Sequence, residues 1–356
     1  MHIGINGRAF VTDEPGGAVQ TTKRLTHELI GRSDVEVTVF GHESLADEFD
    51  TPVESGGCLS ESMFFGVAWE RTILPLLARR REIDLLFCPN ANAPLHETPY
   101  PVVTYIHDVS AMNDWSASVH GLYRKTTVPR AAAVSDRIVT VSEFSKREIV
   151  GELAVDPAKV SVVHNGIDER FFDETPGEPV EVPEEFILYV GALNPRKNVA
   201  GLVEAYRRVS DDFDHELVLT GPRNKELFDS LDVAKADDVH LTGFVSQEEL
   251  KFLYDEADVF TYPSFYEGFG LPPLEAAACG TPVVTTRTGA IPDILGDAAR
   301  YVDPEDVADI GAGMVWAATD SAAQEVAERS RERVASLTWE DAIHELLSEF
   351  RMIARA

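Results

Sequence analysis

The stretch SFYEGFGLPPLEAAACGTPVV, residues 264–284, reads in succession as loop, helix and buried strand. Gly268 and Gly270 let backbone N–H groups come close to a ligand. Pro272 and Pro273 suit the first turn of a helix, where the leading N–H donors are unsatisfied anyway. A helix start beside two glycines favours a phosphate. Glu267 and Glu275, with seven residues between them, stand before and after that anion position, so their carboxylates can bond hydroxyls on opposite sides of a diphosphate. The alternative is a loop–helix junction whose acids are merely solvated. Against it, Ala276, Ala277, Ala278, Cys279 and Gly280 give the helix a small-residue face for close packing, and PVVTT after it reads as a buried strand.

Outward from this segment, short runs of Val, Ile and Leu alternate with amphipathic stretches. FILYVGAL, a helix from about Val199 to Ser210, ELVLTGP, VHLTGFV, ADVFTYPS and ARYVD complete one parallel sheet with helices around it. HIGING, VEVTVF, DLLFCP, VVTYIHD, RIVTVS and VSVVHNGID predict a second sheet upstream. Between them, DETPGEPVEVPEE (173–185) combines Pro176, Gly177, Pro179 and Pro183 with carboxylates and has nothing to bury. The expected organisation is therefore an α/β chain with a first Rossmann-like domain over 1–172, a linker over 173–185 and a second domain over 186–337. The carboxyl ends of both sheets would face a central cleft. Residues 338–356 form a final helix, with Thr338 as a candidate N-cap and Trp339, Ile343, Leu346, Leu347, Phe350 and Ile353 on one face, expected to pack back on the first domain.

Three further places could carry chemistry. In GALNPRKN (191–198), Arg196 and Lys197 end a strand-to-helix turn, where each can make charge-assisted bonds to phosphate oxygens; the alternative is an exposed basic turn. Gly16 and Gly17 open a helix after the first strand, but GxGxxG and GKS/T spacings are both absent there, so neither nicotinamide binding nor P-loop hydrolysis is supported. His107, followed by Asp108, ends the strand VVTYI, where it can hold a proton, hydrogen-bond a ligand or simply pair with its own loop. The histidines show no HxxxH or HxH spacing, so no metal is expected. MFFGVAWERTILPLLARRR (63–81) has the makings of a basic amphipathic helix. Its apolar face is expected to cover the first sheet, with weak peripheral membrane contact as the rival.

Composition narrows the field. The 356 residues carry 61 acidic against 31 basic side chains, a formal charge of −30 that would repel nucleic acid. Only eight of the basic residues are lysines. Such a surface suits a salt-rich cytoplasm, where the Debye length falls to roughly 3 Å near molar salt. The rival is an ordinary acidic mesophile. Cys58, Cys88 and Cys279 are too scattered for a disulfide framework or a thiolate metal cage. No signal-peptide pattern or apolar run long enough to span a bilayer is seen, and a cytoplasmic protein is expected.

Taken together these residues resemble the retaining glycosyltransferase family 4, whose architecture is GT-B. EGFGLPPLEAAACGTPVV is similar to that family's E-x7-E signature. GALNPRKNVAGLVEAY, HDVS, VTVSEFSKREI, VVHNGID and HLTGFVSQEELKFLYDEADVFTYPS follow in the family's order over most of the chain. The PRKN wording resembles a subgroup rich in mannosyltransferases. The resemblance implies that Glu267 contacts the donor sugar, Glu275 the ribose hydroxyls, and Arg196 and Lys197 the diphosphate. It implies that His107 lies near the reacting carbon and Gly17 on the phosphate and acceptor side, while Gly268, Phe269, Gly270, Leu271 and Phe244 line the donor. Where many members carry an arginine after the first glycine of the second domain, this chain has Ala192, and Arg196 is expected to substitute. The implied activity is metal- and cofactor-independent hexose transfer, mannose or glucose type, from GDP-mannose or a UDP-sugar to a glycan or lipid-linked acceptor at the inner membrane face. A sugar-nucleotide epimerase and a non-catalytic partner subunit of the same fold remain as rival readings.

Overall fold

The computed structural model describes residues 1–11, 16–57, 63–110, 112, 119–221 and 238–354. The chain divides into two units, Met1–Gly166 with Trp339–Ala356, and Ile167–Thr338.

In the first unit β1 (His2–Asn6), β2 (Glu36–Phe40), β3 (Val53–Glu54), β4 (Leu85–Cys88), β5 (Val102–Tyr105), β6 (Arg137–Thr140) and β7 (Val160–Val162) form one sheet in the order β3-β2-β1-β4-β5-β6-β7. Every pairing is parallel. All residues of β4 and β5 are buried, which is why these strands read as unbroken apolar runs and not as alternation. Helices α1 (Gly17–Ile30), α2 (Met63–Arg80), α3 (Val119–Val134) and α4 (Glu143–Leu153) connect the strands. On α2, Trp69, Leu74 and Ala78 enter the core beside Phe40, Leu86 and Cys88, whereas Arg71, Arg79 and Arg80 stay outside. The apolar face of this segment thus covers the sheet. No described helix is long and apolar enough to cross a membrane.

The second unit repeats the plan with β8 (Phe186–Val190), β9 (Glu216–Thr220), β10 (Val239–Gly243), β11 (Val259–Tyr262), β12 (Val283–Thr285) and β13 (Arg300–Tyr301), in the order β10-β9-β8-β11-β12-β13 and again parallel. Its described helices are α5 (Val199–Val209), α6 (Gln247–Glu256), α7 (Leu271–Cys279), α8 (Ile291–Leu295), α9 (Val307–Thr319) and α10 (Ala322–Val334). Ser246 and Glu249 form a reciprocal capping box that starts α6. In each sheet the chain builds outward on one side and then crosses to the other, so strand order reverses between β1 and β4 and between β8 and β11. These are the places where open parallel sheets hold ligands at their carboxyl ends.

The units divide at Gly166 and Ile167, and 173–185 lies inside the second one. Part of that acidic stretch is anchored: the Glu178 N–H donates to the Glu248 carbonyl at 3.1 Å, and a Cβ on Gly177 would lie 2.3 Å from the same oxygen. The last helix, α11 (Trp339–Ala354), returns to the first unit, where the Phe350 ring meets Phe87 at 5.1 Å and Arg351 bonds Asp34.

Candidate functional site

Lys197 and Glu267, 70 residues apart in sequence, are brought together because β8 and β11 are neighbours. After β8 the chain swings through Gly191, whose φ of 152° favours glycine, into the turn Pro195–Lys197. The Asn194 side chain accepts the Lys197 N–H at 3.3 Å and fixes this turn. Lys197 is only 8% exposed and its ammonium donates to Glu267 Oε1 at 2.5 Å and to the Tyr262 hydroxyl at 2.5 Å. The ammonium stands 5.0 Å from the Tyr262 ring centroid, so it meets the hydroxyl end-on and not the ring face. Glu267 is 6% exposed.

A buried ion pair is a poor way to gain stability, because two charges lose their water, and it is retained where the charges have other work. Arg196 lies beside it: its guanidinium donates to the Tyr266 carbonyl at 3.2 Å, and its own carbonyl accepts the Phe265 N–H at 2.9 Å. The turn after β8 is thereby tied to the loop after β11.

That loop ends at Gly270, in the left-handed region at φ 87°, and α7 starts at Leu271 with proline in its first turn. A Cβ on Gly270 would lie 2.6 Å from Ile291, and one on Gly289 (φ 61°) would lie 2.6 Å from the Glu267 carbonyl oxygen. Gly289 is therefore what lets the segment after β12 support the Glu267 backbone. Gly268 and Phe269 belong to the same loop and are buried. Glu275 lies one turn into α7, where its Oε2 accepts the Tyr254 hydroxyl at 3.0 Å. Burial pushes this carboxyl up to about 7, opposed by the Tyr254 bond, so near neutrality it exchanges a proton. Phe244, 53% exposed, follows β10 at the same carboxyl edge of the sheet.

His107 and Gly17 belong to the first unit. His107 follows β5; its ring contacts Tyr105 at 4.4 Å and its carbonyl accepts the Ser145 hydroxyl at 3.1 Å. Asp108 turns to Ser110. The buried His107 Nε2 has no hydrogen-bond partner among the described residues, and burial lowers this imidazole to about 4. It is neutral at ordinary pH and can donate or accept one bond. Gly17 is the exposed first residue of α1, with Gly16 as an N-cap that supplies no side-chain bond; a Cβ on either would meet open space.

The second unit thus gathers Arg196, Lys197, Glu267, Gly268, Phe269, Gly270, Leu271, Glu275 and Phe244 at one sheet edge. Tyr262, Tyr254 and Gly289 complete the site and were not singled out from sequence. An aromatic residue at the end of a buried strand reads as core, and only the pairing of β8 with β11 shows that Tyr262 meets a lysine. Among the described residues no group of three or more His, Cys, Asp and Glu side chains gathers as a metal would require.

Residues 172–334 match the family of group 1 glycosyl transferases, and residues 15–171 match glycosyltransferase family 4. The O-antigen chain mannosyltransferase B of Escherichia coli is 29% identical over 267 residues, covering 70% of this chain and 70% of that protein. The MMP alpha-(1->4)-mannosyltransferase of Mycolicibacterium hassiacum is 36% identical over 192 residues, 51% of this chain and 45% of that protein's length. Among solved structures, sucrose-phosphate synthase of Thermosynechococcus elongatus shares the fold with a TM-score of 0.78 at 19% identity, covering 99% of this chain and 98% of that one. Anabaena HepE in complex with UDP and glucose does so with a TM-score of 0.76 at 17% identity, covering 99% and 100%.

Proposed function

Since the chain belongs, through both its halves, to the family 4 and group 1 glycosyltransferases, we propose that it is a retaining, metal-independent hexosyltransferase. Its donor is a nucleoside diphosphate hexose and its acceptor a glycan or lipid-linked glycan. The observation that carries this reading is the buried Lys197–Glu267 pair at the strand-order reversal of the second sheet. The mannosyltransferase relatives favour mannose and GDP-mannose; a glucose-type UDP-sugar is the second choice, supported by the UDP bound to HepE.

The leaving group of such a donor is a diphosphate whose negative charge grows as the glycosidic bond breaks. Lys197 and Arg196 supply positive charge for it, and the positive end of the α7 dipole adds to it, all positioned before reaction. As the phosphate takes the ammonium, Glu267 is released to accept bonds from hexose hydroxyls. Glu275 accepts from the ribose. His107, neutral and with a buried Nε2 that no described residue partners, can give or take one bond to a hydroxyl. The acceptor hydroxyl attacks from the face the nucleotide leaves, which retains configuration, and the departing phosphate takes its proton. The reaction runs at the cytoplasmic face of the membrane, and the charge of −30 suits a salt-rich medium.

Labelled GDP-mannose and UDP-glucose, each incubated with the enzyme and a lipid extract, test the proposal. Label moves to the acceptor with retained anomeric configuration, and excess chelator leaves the rate unchanged. Glu267→Ala and Lys197→Ala each lower transfer by at least about two orders of magnitude. Altered donor without an acceptor product would instead mark an epimerase, and normal turnover in either variant would remove that residue from the site.

A further inference from the structure

We infer that Tyr254 is a positioning residue for Glu275 and that the pair couples donor capture to proton release, the Glu275 carboxyl losing a proton to solvent as the ribose of a nucleoside diphosphate sugar binds, an inference that rests on the transferase reading above. Glu275 lies one turn into α7 and keeps part of its surface open. Its Oε2 accepts the Tyr254 hydroxyl at 3.0 Å, and among the described residues no Lys, Arg or His forms an ion pair with it. Tyr254 has little freedom to follow a ligand. It is fully buried, its carbonyl accepts the Thr281 hydroxyl at 2.6 Å, and the Phe171 ring meets its own edge-on at 5.5 Å.

Phe171 belongs to the turn Glu169–Phe172, which opens the second unit and packs on α7. Two charges from this turn act on Glu275 in opposite senses: Asp168 favours the protonated carboxyl and Arg170 the carboxylate. Arg170 is engaged elsewhere, its Nε donating to Asp168 Oδ1 at 3.0 Å and its Nη1 to Glu248 Oε1 at 2.7 Å. The other elements around α7 bring no cation to the carboxyl. On α6 the Lys251 ammonium donates to Asp255 at 2.6 Å, and on α10 Arg331 donates to the Phe172 carbonyl at 2.8 Å. Of the strands packed on α7, β11 and β12 carry no acid or base except Tyr262, which is bonded to Lys197. Cys279, on α7 itself, is held as a neutral thiol by burial. A carboxyl with one donor, no cation of its own and an aspartate for neighbour keeps a proton until a ligand brings further donors, in keeping with its value near 7.

The vicinal hydroxyls of a ribose are such donors. A carboxylate has room for about four bonds, of which Tyr254 takes one on Oε2. The protonated form has given one of these places to its own hydrogen, so the diol prefers the charged form and the proton leaves. Burial holds the Tyr254 hydroxyl well above its usual range, so it remains a donor throughout and keeps Oε2 fixed while the rest of the carboxylate meets the ligand.

Calorimetric titration of the full chain with UDP-glucose and with GDP-mannose, in buffers of different ionisation heat, counts the protons. The diphosphate of either probe is esterified at both ends and does not titrate near neutrality, so any proton released is the protein's. Below the Glu275 value of about 7 the bound donor expels close to one proton, and Kd rises about tenfold for each unit by which pH falls; about one unit above that value both effects vanish, and Glu275→Gln shows neither. Tyr254→Phe raises Kd about fivefold at alkaline pH, the worth of one hydrogen bond, and moves the midpoint upward, because the lost bond favoured the carboxylate. Asp168→Asn, which keeps an acceptor for the Arg170 N–H, moves the midpoint down, and Arg170→Gln moves it up. These two charge variants carry the test should Tyr254→Phe fail to fold. A wild-type Kd independent of pH, binding without proton release, or a midpoint that stays in place in the folded variants would each overturn the inference and leave the transferase reading standing. If neither probe binds even at alkaline pH, the transferase reading fails with it.

Discussion

Lys197 touches Glu267 and Tyr262 and is closed off from water, and this decides how substitutions there behave. Removing one charge strands the other: Lys197→Met or Glu267→Gln alone lowers unfolding stability by about 3–5 kcal/mol, while the double variant recovers most of the loss. Urea titrations of the three proteins check this, and additive losses would show that the charges do not depend on one another. The two shifted groups set opposing pH dependences. His107, lowered to about 4, excludes a proton that the unfolded chain binds; its contribution is full above the ordinary histidine value near 6.5 and falls away as pH drops towards 4. Glu275, raised to about 7, keeps a proton that the unfolded chain gives up, so its contribution is present at acid pH and is lost as pH rises from about 4.5 through 7. Glu275→Gln therefore flattens the loss of stability between those values, which melting curves across the range would reveal; an unchanged profile would mean that the carboxyl titrates normally.

At the scale of elements, the loop carrying Glu267 is held from behind by the segment after β12. Gly289→Ala would force a Cβ against the Glu267 carbonyl in a left-handed backbone and costs about 1–3 kcal/mol, with a larger fractional loss of transfer than of stability because Glu267 itself moves. Melting and transfer measured together check it; full activity in a stable variant would contradict the support role. The strands were legible in sequence because both faces of a parallel sheet are buried, and runs such as LLFC and FILYV leave no polar alternation to mislead. Glu267, Glu275, Arg196 and Lys197 were legible because glycine, proline and charge fall at a strand-to-helix junction. Tyr262 and Gly289 were not, since each acts across strands that are far apart in sequence. The acidic stretch 173–185 read as a free linker because composition gives no sign that the Gly177–Glu178 backbone docks on α6.

For the whole molecule, a charge of −30 on 356 residues means self-repulsion that salt relieves. The melting temperature should rise between low and molar KCl, and a flat curve would remove salt adaptation from the account. The central claim concerns the second sheet: a nucleoside diphosphate rests where β8 and β11 end, against Lys197 and the first turn of α7. A crystal of the full chain soaked with GDP or UDP tests it most directly. The expected map has the diphosphate within hydrogen-bonding distance of Lys197 Nζ, with Glu267 freed and Glu275 on the ribose. A nucleotide bound at another edge, or a saturating soak that leaves the Lys197–Glu267 pair untouched, would contradict it.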